Sequence, residues 1–285
     1  MKAEPLIRAF DPPLGGVIFH AAPERKDELA AFLSSGFNGL ELWDGPVNFW
    51  ADAADNIVRG SFSGFLSLWA ACRAALLFAD AGVQAMRRSE SVISAEAPAV
   101  IQAWKLVGAA DALIRDQGAQ WPDDLVRPDP NADDIASKAA NNLFLFASAW
   151  ALLHEIGHLK LGHSGDVTAD ERKRQEVDAD AFANRWLLQN CPPEHIEFRT
   201  FGVACAIAWL GLIDRVRRGS TTHPHASERL NRASALFDLK RESPSFEMTS
   251  YVLKAFFDPS TPLPETEDAE EAFATIAAAW SQLDR

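Results

Sequence analysis

Apolar side chains recur at helical spacing along most of this chain. After Ser61, whose hydroxyl suits the start of a helix, they return every three or four residues as far as Met86. This stripe consists of Phe62, Phe65, Leu66, Trp69, Cys72, Leu76 and Leu77. Stripes of this kind usually face a protein core, so we predict a packed helix here rather than an aromatic ligand groove.

The second half of the chain predicts a succession of helices with recognisable ends. The longest is apolar on nearly every side over 143–153, as a helix enclosed by its neighbours should be, and Gly162 ends it. Thr168 and Glu171 form the capping box of the next helix. The predicted helices run from Asp133 to about Leu161, from Thr168 to Asn190, from Glu194 to Arg218, from Pro224 onwards, and twice within 245–285.

The N-terminal third has a weaker pattern. Val17-Ile18-Phe19 predicts a short strand, and the glycines and proline that interrupt 37–50 predict a β-hairpin. A loop over 119–131 separates two predicted subdomains, 1–131 and 132–285, which we expect to form one compact unit. The pattern therefore predicts an α+β, mostly helical fold, with a small N-terminal sheet or hairpin packed on a helical core.

Composition and charge narrow the class of protein. The formal net charge is −13, which repels phosphate backbones and argues against nucleic acid as a partner. Cys72, Cys191 and Cys205 are too few and too scattered for a disulfide framework or a thiolate zinc finger. No secretory signal is visible. The apolar run 62–78 contains Arg73, and the runs 143–153 and 200–213 are shorter than about 18 residues, so none is a clean membrane span. We therefore expect a cytoplasmic protein that makes no membrane contact.

Two histidines four residues apart close the long apolar helix, in His154-Glu155-Ile156-Gly157-His158. On a helix they lie one above the other, so both imidazoles can bind one metal ion, with Glu155 beside the same face. This H-E-x-x-H pattern indicates a catalytic zinc ion with a carboxylate base. One zinc ion is the cofactor that we expect.

A catalytic zinc ion usually has three protein ligands, so a third is needed. Gly162 and His163 stand four and five residues past His158, where the longer pattern H-E-x-x-H-x-x-G-x-x-H needs three and six, and we expect His163 at the surface. Glu176 is the better candidate, because an antiparallel helix can bring it against the histidines. Asp180, on the same face, can accept the other ring N–H of a metal-binding histidine. The alternative is that both acids belong to a solvated charged face.

The segment Thr221-Thr222-His223-Pro224 adds a third group of polar residues. Pro224 suits the first position of a helix and would hold His223 at a helix entrance, where it can stabilise the oxyanion formed when water attacks a carbonyl. A surface capping histidine is the alternative. Arg229 could share that work or pair with a carboxylate. We interpret His225 as structural or exposed, and we do not expect His20 or His195 to be ligands, because neither has a local motif.

Together these motifs resemble those of gluzincin-type zinc metallopeptidases, and more closely those of the Lit-type phage-exclusion peptidases. The residues that carry the resemblance are Ala149 to His158, Gln175-Glu176 with Ala179-Asp180, and Thr222-His223-Pro224 with Glu228-Arg229-Leu230. The specific likeness covers roughly 140–232. A weaker one extends upstream through Trp69, Trp104 and Trp121-Pro122, and the N-terminal third matches only in character.

The resemblance implies a zincin-like fold and a site-specific cytoplasmic endopeptidase of bacterial abortive infection. That family is known for cleaving elongation factor Tu when a phage protein segment triggers it, which implies a protein substrate and an activating peptide or protein here too. The helical part, 132–285, would carry the site, and the part before it would recognise substrate or trigger. The implied roles are zinc ligands His154, His158 and Glu176, the base Glu155, and oxyanion stabilisers His223 and Arg229.

Other functions stay open. A metal-binding sensor or interaction protein could keep the same fold without proteolysis, although a purely structural site would not need Glu155. The charged helix 168–190 could instead bind a partner, and activated water attacks carbonyls other than peptides. Trp43, Phe49 and Trp50 could line a substrate cleft, with the edge of the hairpin paired to an extended substrate, or they could pack in the core.

Overall fold

The computed structural model of the chain describes residues 1–283 except 35, 91, 164, 219–221 and 260–261. Most of these residues lie in helices, with a small sheet between the fourth and the fifth. The helices are α1 (Ala3–Arg8), α2 (Asp11–Gly15), α3 (Val17–Ala21), α4 (Lys26–Leu33), α5 (Phe62–Arg87), α6 (Pro98–Arg115), α7 (Ile135–Leu161), α8 (Ala169–Leu188), α9 (Pro193–Arg217), α10 (Ala226–Ser234), α11 (Pro244–Phe257) and α12 (Ala269–Leu283).

Side chains cap the first turns of the long helices α5 and α7, and a glycine ends α7. The Ser61 hydroxyl accepts a hydrogen bond from the Gly64 N–H at 3.0 Å, which satisfies a donor in the first turn of α5. The Asp134 carboxylate does the same for the Ser137 N–H at the start of α7, at 2.8 Å. Gly162 ends α7 in the left-handed region, at φ 67°. The start predicted at Ser61 and the end predicted at Gly162 are confirmed, and the cap at Asp134 was not predicted.

Buried polar side chains fix how the central helices pack. The indole of Trp69 on α5 donates to the Asn141 side chain of α7 at 3.0 Å, and the indole of Trp209 on α9 donates to the Ser67 hydroxyl at 3.0 Å. Each pair satisfies groups that would be costly to bury alone. The aromatic stripe of α5 therefore faces the core, as predicted.

The sheet differs from the predicted hairpin. Its strands are β1 (Gly39–Trp43), β2 (Phe49–Asp52) and β3 (Ile57–Ser61), in the order β1-β3-β2. β3 pairs in parallel with β1 and antiparallel with β2, so the hairpin joins β2 to β3 and lies later than the one expected over 37–50. β2 consequently forms an edge of the sheet.

Two further expectations about local structure are wrong. Val17-Ile18-Phe19 lies in helix α3, where Val17 and Ile18 are buried, and not in a strand. Pro224 does not open a helix, because α10 begins two residues later with His225 as its N-terminal cap. The Ala226 N–H of that helix donates to the Asp214 carboxylate of α9 at 3.1 Å, which ties the start of α10 to its neighbour.

Helices α7 and α8 pack unusually closely and antiparallel. Gly157 of α7 faces α8 so directly that a Cβ atom there would lie 3.2 Å from the Ala179 Cα atom and 3.2 Å from the Phe182 Cβ atom. Nearer the N-terminus of α7, the Trp150 indole donates to the Asn184 side chain of α8 at 2.8 Å. This close approach brings the polar face of α8 against the two histidines of α7.

Helices α5 and α9 are also long and apolar enough to cross a membrane by length and composition alone. Both therefore exceed the apolar lengths expected from the sequence. Of their most apolar windows, 83% and 72% of the residues are buried inside the protein. Packing in the core already accounts for that apolar character.

Candidate metal centre and cleft

Three donor atoms meet where α7 and α8 pack together. His154 and His158 lie on successive turns of α7 with their Nε2 atoms 3.1 Å apart. Glu176 of α8 places Oε2 3.3 Å from His154 Nε2 and Oε1 3.5 Å from His158 Nε2. Tetrahedral zinc with bonds of about 2.0–2.1 Å needs its ligand atoms about 3.3 Å apart. The spacing and the His₂Glu donor set therefore fit one zinc ion, and this group could hold a metal ion.

A chain of hydrogen bonds sets the ring of His154. Asp180 Oδ1 lies 2.9 Å from His154 Nδ1 and accepts its proton, which leaves Nε2 to face Glu176. Arg229 of α10 holds Asp180 in turn: its Nε atom donates to Oδ2 at 2.8 Å, and its Nη2 atom donates to Oδ1. All three side chains are buried. Of the two roles considered for Arg229, pairing with a carboxylate is the one that these contacts favour.

Charges at the site favour a bound cation. Burial lowers the pKa of His154, but hydrogen bonds to Asp180 and Glu176 outweigh it and raise the pKa to about 10. Burial and the charge on His154 lower the pKa of His158 to about 3. Although burial raises the pKa of Glu176, hydrogen bonds to His154 and His223 hold that pKa well below its usual range. One positive charge, carried by His154 beside a neutral His158, thus lies in the place that a metal ion would take.

Glu155 lies beside the group, on the side of the cleft. Its Oε1 atom is 4.0 Å from His154 Nε2. Burial raises the pKa of this carboxyl, while the charge on His154 and, to a smaller extent, a hydrogen bond with the Ala51 backbone on β2 oppose that rise. Glu155 therefore connects the metal-binding group to the edge strand of the sheet.

His223 reaches the same group from the segment before α10. Its Nε2 atom lies 3.3 Å from Glu176 Oε1, its Nδ1 atom lies 2.9 Å from the Thr222 hydroxyl oxygen, and 45% of the side chain is exposed. The structure thus brings His223 to the rim of the site, where both neighbours constrain its ring. Thr221, the first residue of the predicted segment, lies outside the described residues.

His163 is not the surface residue that we expected. It is half-buried directly after the Gly162 cap, and its Nδ1 atom lies 2.9 Å from His158 Nδ1. Burial lowers its pKa. His20, His195 and His225 are exposed, and none of them belongs to a metal-binding group among the described residues.

The group opens into a cleft of about 750 Å³ between β2 and α9. Phe49 and Trp50 of β2 line it, and Trp43 packs edge to face on Trp50 with ring centroids 4.8 Å apart. Phe49 also contacts the core, since its ring lies 4.7 Å from that of Phe65. The two roles considered for these aromatic residues therefore coexist. The opposite wall carries the apolar side chains of Trp209, Leu210 and Ile213.

Sequence reasoning missed three parts of this cleft: His163, the Ala51 backbone and the apolar wall of α9. The wall gave no signal, because Trp209 and Ile213 belong to a run that also fills the core. His163 did have a signal, since glycine in the left-handed conformation after a helix turns the next residue back over the last turn.

Comparisons with known proteins cover this region. The family model of peptidase U49 matches residues 59–249. A cell death peptidase of Escherichia coli (strain K12) is 33% identical over 118 residues, which make up 39% of this chain and 38% of that relative. The alignment therefore spans well under half the length of the relative. No solved structure matches the chain, so a zincin-like fold stays a prediction.

Proposed function

This chain belongs to the peptidase U49 family, and from that premise we propose that it is a zinc-dependent endopeptidase that hydrolyses a peptide bond with metal-activated water. The observation that carries the proposal is the position of Glu155, whose carboxylate faces an open cleft 4.0 Å from a histidine of the metal-binding group. A metal site that served stability alone would not need an acid beside a cleft.

Each group of the site has a step that it can perform. Zinc held by His154, His158 and Glu176 would lower the pKa of a bound water to about 7 and polarise the substrate carbonyl. Glu155 would take a proton from that water and pass it to the leaving amine; the burial that raises its pKa suits a group that must hold a proton between these two transfers. His223 would donate its Nε2–H to the oxyanion.

Arg229 would act through Asp180 rather than on the substrate. Its guanidinium is buried and donates to both carboxylate oxygens of Asp180, and Asp180 accepts the Nδ1–H of His154. We therefore propose Arg229 as the residue that holds this acceptor in place, and His223 as the residue that contacts the reacting carbonyl.

Strand β2 would bind the substrate backbone. The Ser61 N–H donates to the Asn48 carbonyl at 3.0 Å, so Asn48 and Ser61 form a hydrogen-bonded pair. Along an antiparallel ladder such pairs alternate with pairs that share no backbone hydrogen bond. Phe49 and Ala51 therefore turn their backbone groups away from β3, towards the cleft. An extended peptide could add there as a further antiparallel strand. The residues after the cleaved bond would then run towards Phe49 and the apolar side chains of Trp209 and Ile213.

The substrate, trigger and location follow from the family resemblance. The relative is named a cell death peptidase, which suits a role in abortive infection. We propose a protein substrate, with elongation factor Tu as the first to test, an activating peptide or protein, and action in the bacterial cytoplasm. The net charge of −13 supports a protein partner rather than nucleic acid.

A non-proteolytic metal sensor is the second function that we consider. It would share the His154, His158 and Glu176 group but would leave Glu155 and the cleft without a task. Cleavage of any cellular protein separates the two functions.

The test is incubation of the purified chain with a bacterial cytoplasmic lysate, followed by mass spectrometry of new protein N-termini. We expect one or a few new termini, which a chelator abolishes and added zinc restores. A cut in elongation factor Tu would identify the substrate. Termini that persist in the chelator would contradict zinc dependence. If no new terminus forms, even in a lysate from phage-infected bacteria, the result would favour the sensor.

A further inference from the structure

The two histidines of the candidate metal centre have different partners at Nδ1, the ring nitrogen that does not face the metal position. His154 Nδ1 faces the Asp180 carboxylate at 2.9 Å, as is common for metal-binding histidines. His158 Nδ1 instead faces a third imidazole, that of His163, at 2.9 Å. The two rings of this second pair meet edge to face, with centroids 4.9 Å apart and an interplanar angle of 72°.

The tautomer of His158 follows from the contacts of its Nε2 atom. Its Nε2 atom lies 3.1 Å from His154 Nε2 and 3.5 Å from Glu176 Oε1, so this is the nitrogen that faces a bound ion. A neutral imidazole that gives the Nε2 lone pair to a metal carries its proton on Nδ1. That Nδ1–H needs an acceptor, and His163 Nδ1 lies within hydrogen-bond distance.

The turn after α7 places this acceptor. Gly162 adopts φ 67° and ψ 34°, and its N–H donates to the Leu159 carbonyl at 3.3 Å. The next N–H, that of His163, donates to the carbonyl of His158 itself at 3.1 Å. This reversal is the usual way a helix ends at a left-handed glycine, and it holds the backbone of His163 against the residue whose ring its side chain contacts.

We propose that His163 is a positioning residue for the metal centre: its Nδ1 atom accepts the Nδ1–H of His158 and so aims His158 Nε2 at the ion. The inference rests on the proposed zinc site. His163 is not itself a ligand, because it contacts the ring of His158 on the side away from Nε2. Among the described residues, the one group of three or more possible ligands whose donor atoms all lie within 4.8 Å of one another is His154, His158 and Glu176.

A matched pair of substitutions separates the acceptor from the bulk of the ring. In His163→Asn an oxygen can take the place of Nδ1, whereas His163→Leu has the same branching without an acceptor. Zinc dissociation constants of the wild type and both variants are measured with a competing chelator, and the melting temperatures of the metal-free proteins are compared. Loss of a partner of this kind costs about 10–100-fold in metal affinity.

We expect His163→Leu to weaken zinc binding by about tenfold, the lower end of that range, because the lost acceptor is neutral. His163→Asn should stay within about threefold of the wild type, and the metal-free melting temperatures should agree. Equal zinc affinity in wild type and Leu variant would overturn the inference while leaving the zinc site intact. Equal losses in both variants would also overturn it. A wild type that binds no zinc would overturn the proposed function together with the inference.

Discussion

At the scale of single residues, the site depends on which groups accept the outer protons of its histidines. Asp180 accepts the Nδ1–H of His154 and is itself held by Arg229, and all three side chains are buried. The charge of Asp180 therefore serves two neighbours at once. Removing it would leave a buried guanidinium without its partner and a metal-binding ring without its acceptor.

Asp180→Asn should accordingly weaken both the metal site and the fold. We expect zinc affinity to fall by up to about 100-fold, and the metal-free protein to lose about 3 kcal/mol of stability, because the amide cannot balance the charge of Arg229. Chelator competition and urea unfolding measure the two quantities. Asp178→Asn is the control, since Asp178 is exposed two residues away on the same helix. Equal behaviour of the two variants would contradict the role given to Asp180.

The residues of the H-E-x-x-H pattern, Glu176 and Asp180 could be predicted as a group, because helical spacing places each set on one face of its helix and a short loop lets the two helices pack antiparallel. The partner of His158 was missed, although the glycine that ends the helix was a signal for it. The longer zinc-binding pattern excluded His163 as a ligand. That pattern gives no information on which other residues a histidine at the end of the helix contacts. Its contact depends on the conformation of Gly162.

At the scale of elements, the separation of α7 and α8 sets the distance from the histidines to Glu176. Gly157 permits this separation, because a Cβ atom would come within 3.2 Å of both the backbone and a side chain of α8. Neither contact is the flexible end of a side chain. A larger residue would therefore push the whole of α8 outwards by a few tenths of an ångström.

Gly157→Ala should destabilise the protein and loosen the metal site. Alanine normally improves a helix interior by about 0.5–1 kcal/mol, and overpacking here should reverse that sign. Gly108→Ala on α6 is the control, because no atom lies within 4 Å of the added Cβ atom. We expect a lower melting temperature for the first variant and an unchanged or higher one for the second. A similar rise in the melting temperature of both variants would show that α7 and α8 are not in tight contact at Gly157.

The helices could be predicted because their signals are local: caps at Ser61, Thr168 and Gly162, and an apolar period that extends over many turns. The order of the sheet could not, because it depends on the parallel pairing of β1 with β3, and these two strands are separated in the sequence by β2. Sequence pattern indicates strands but carries no information on such pairing. The helix at Val17 was missed because a run of three apolar residues fits either element.

At the scale of the whole molecule, the N-terminal part and the helical part share one apolar core. Phe10 and Phe65 both contact Phe144 of α7, with ring centroids 5.3 Å and 6.3 Å apart. An ion pair adds to this contact: the buried Arg199 of α9 donates to the Glu24 carboxylate at 2.6 Å and 2.8 Å. The predicted division near residue 131 therefore crosses a continuous core, and it stays a prediction.

The Glu24–Arg199 pair should make stability depend on pH. The hydrogen bonds from Arg199 hold the pKa of Glu24 below its usual value. The stabilisation is thus present above the pKa of an unfolded Glu, about 4.3, and is lost as the pH falls through the lower pKa of the folded state. Glu24→Gln should cost about 1 kcal/mol at pH 7, a figure discounted for solvent screening because part of the carboxylate is exposed.

Melting temperatures of wild type and Glu24→Gln, compared at pH 7 and at pH 3, measure this effect. The difference should be largest at pH 7 and smaller at pH 3, below the usual pKa of Glu. Glu4→Gln, which removes an exposed pair with Arg8, should show no measurable difference at either pH. A difference for Glu24→Gln that stays constant across this range would mean that the pair contributes through packing rather than charge.

We propose above all that Glu155 uses a zinc ion held by His154, His158 and Glu176 to cleave a protein. The most direct measurement is the cleavage rate of Glu155→Gln in the lysate assay, with zinc content determined on the same sample. The variant should carry one zinc ion per chain, like the wild type, and cleave at least about 1,000-fold more slowly. Cleavage at the wild-type rate by the zinc-bound variant would contradict the account.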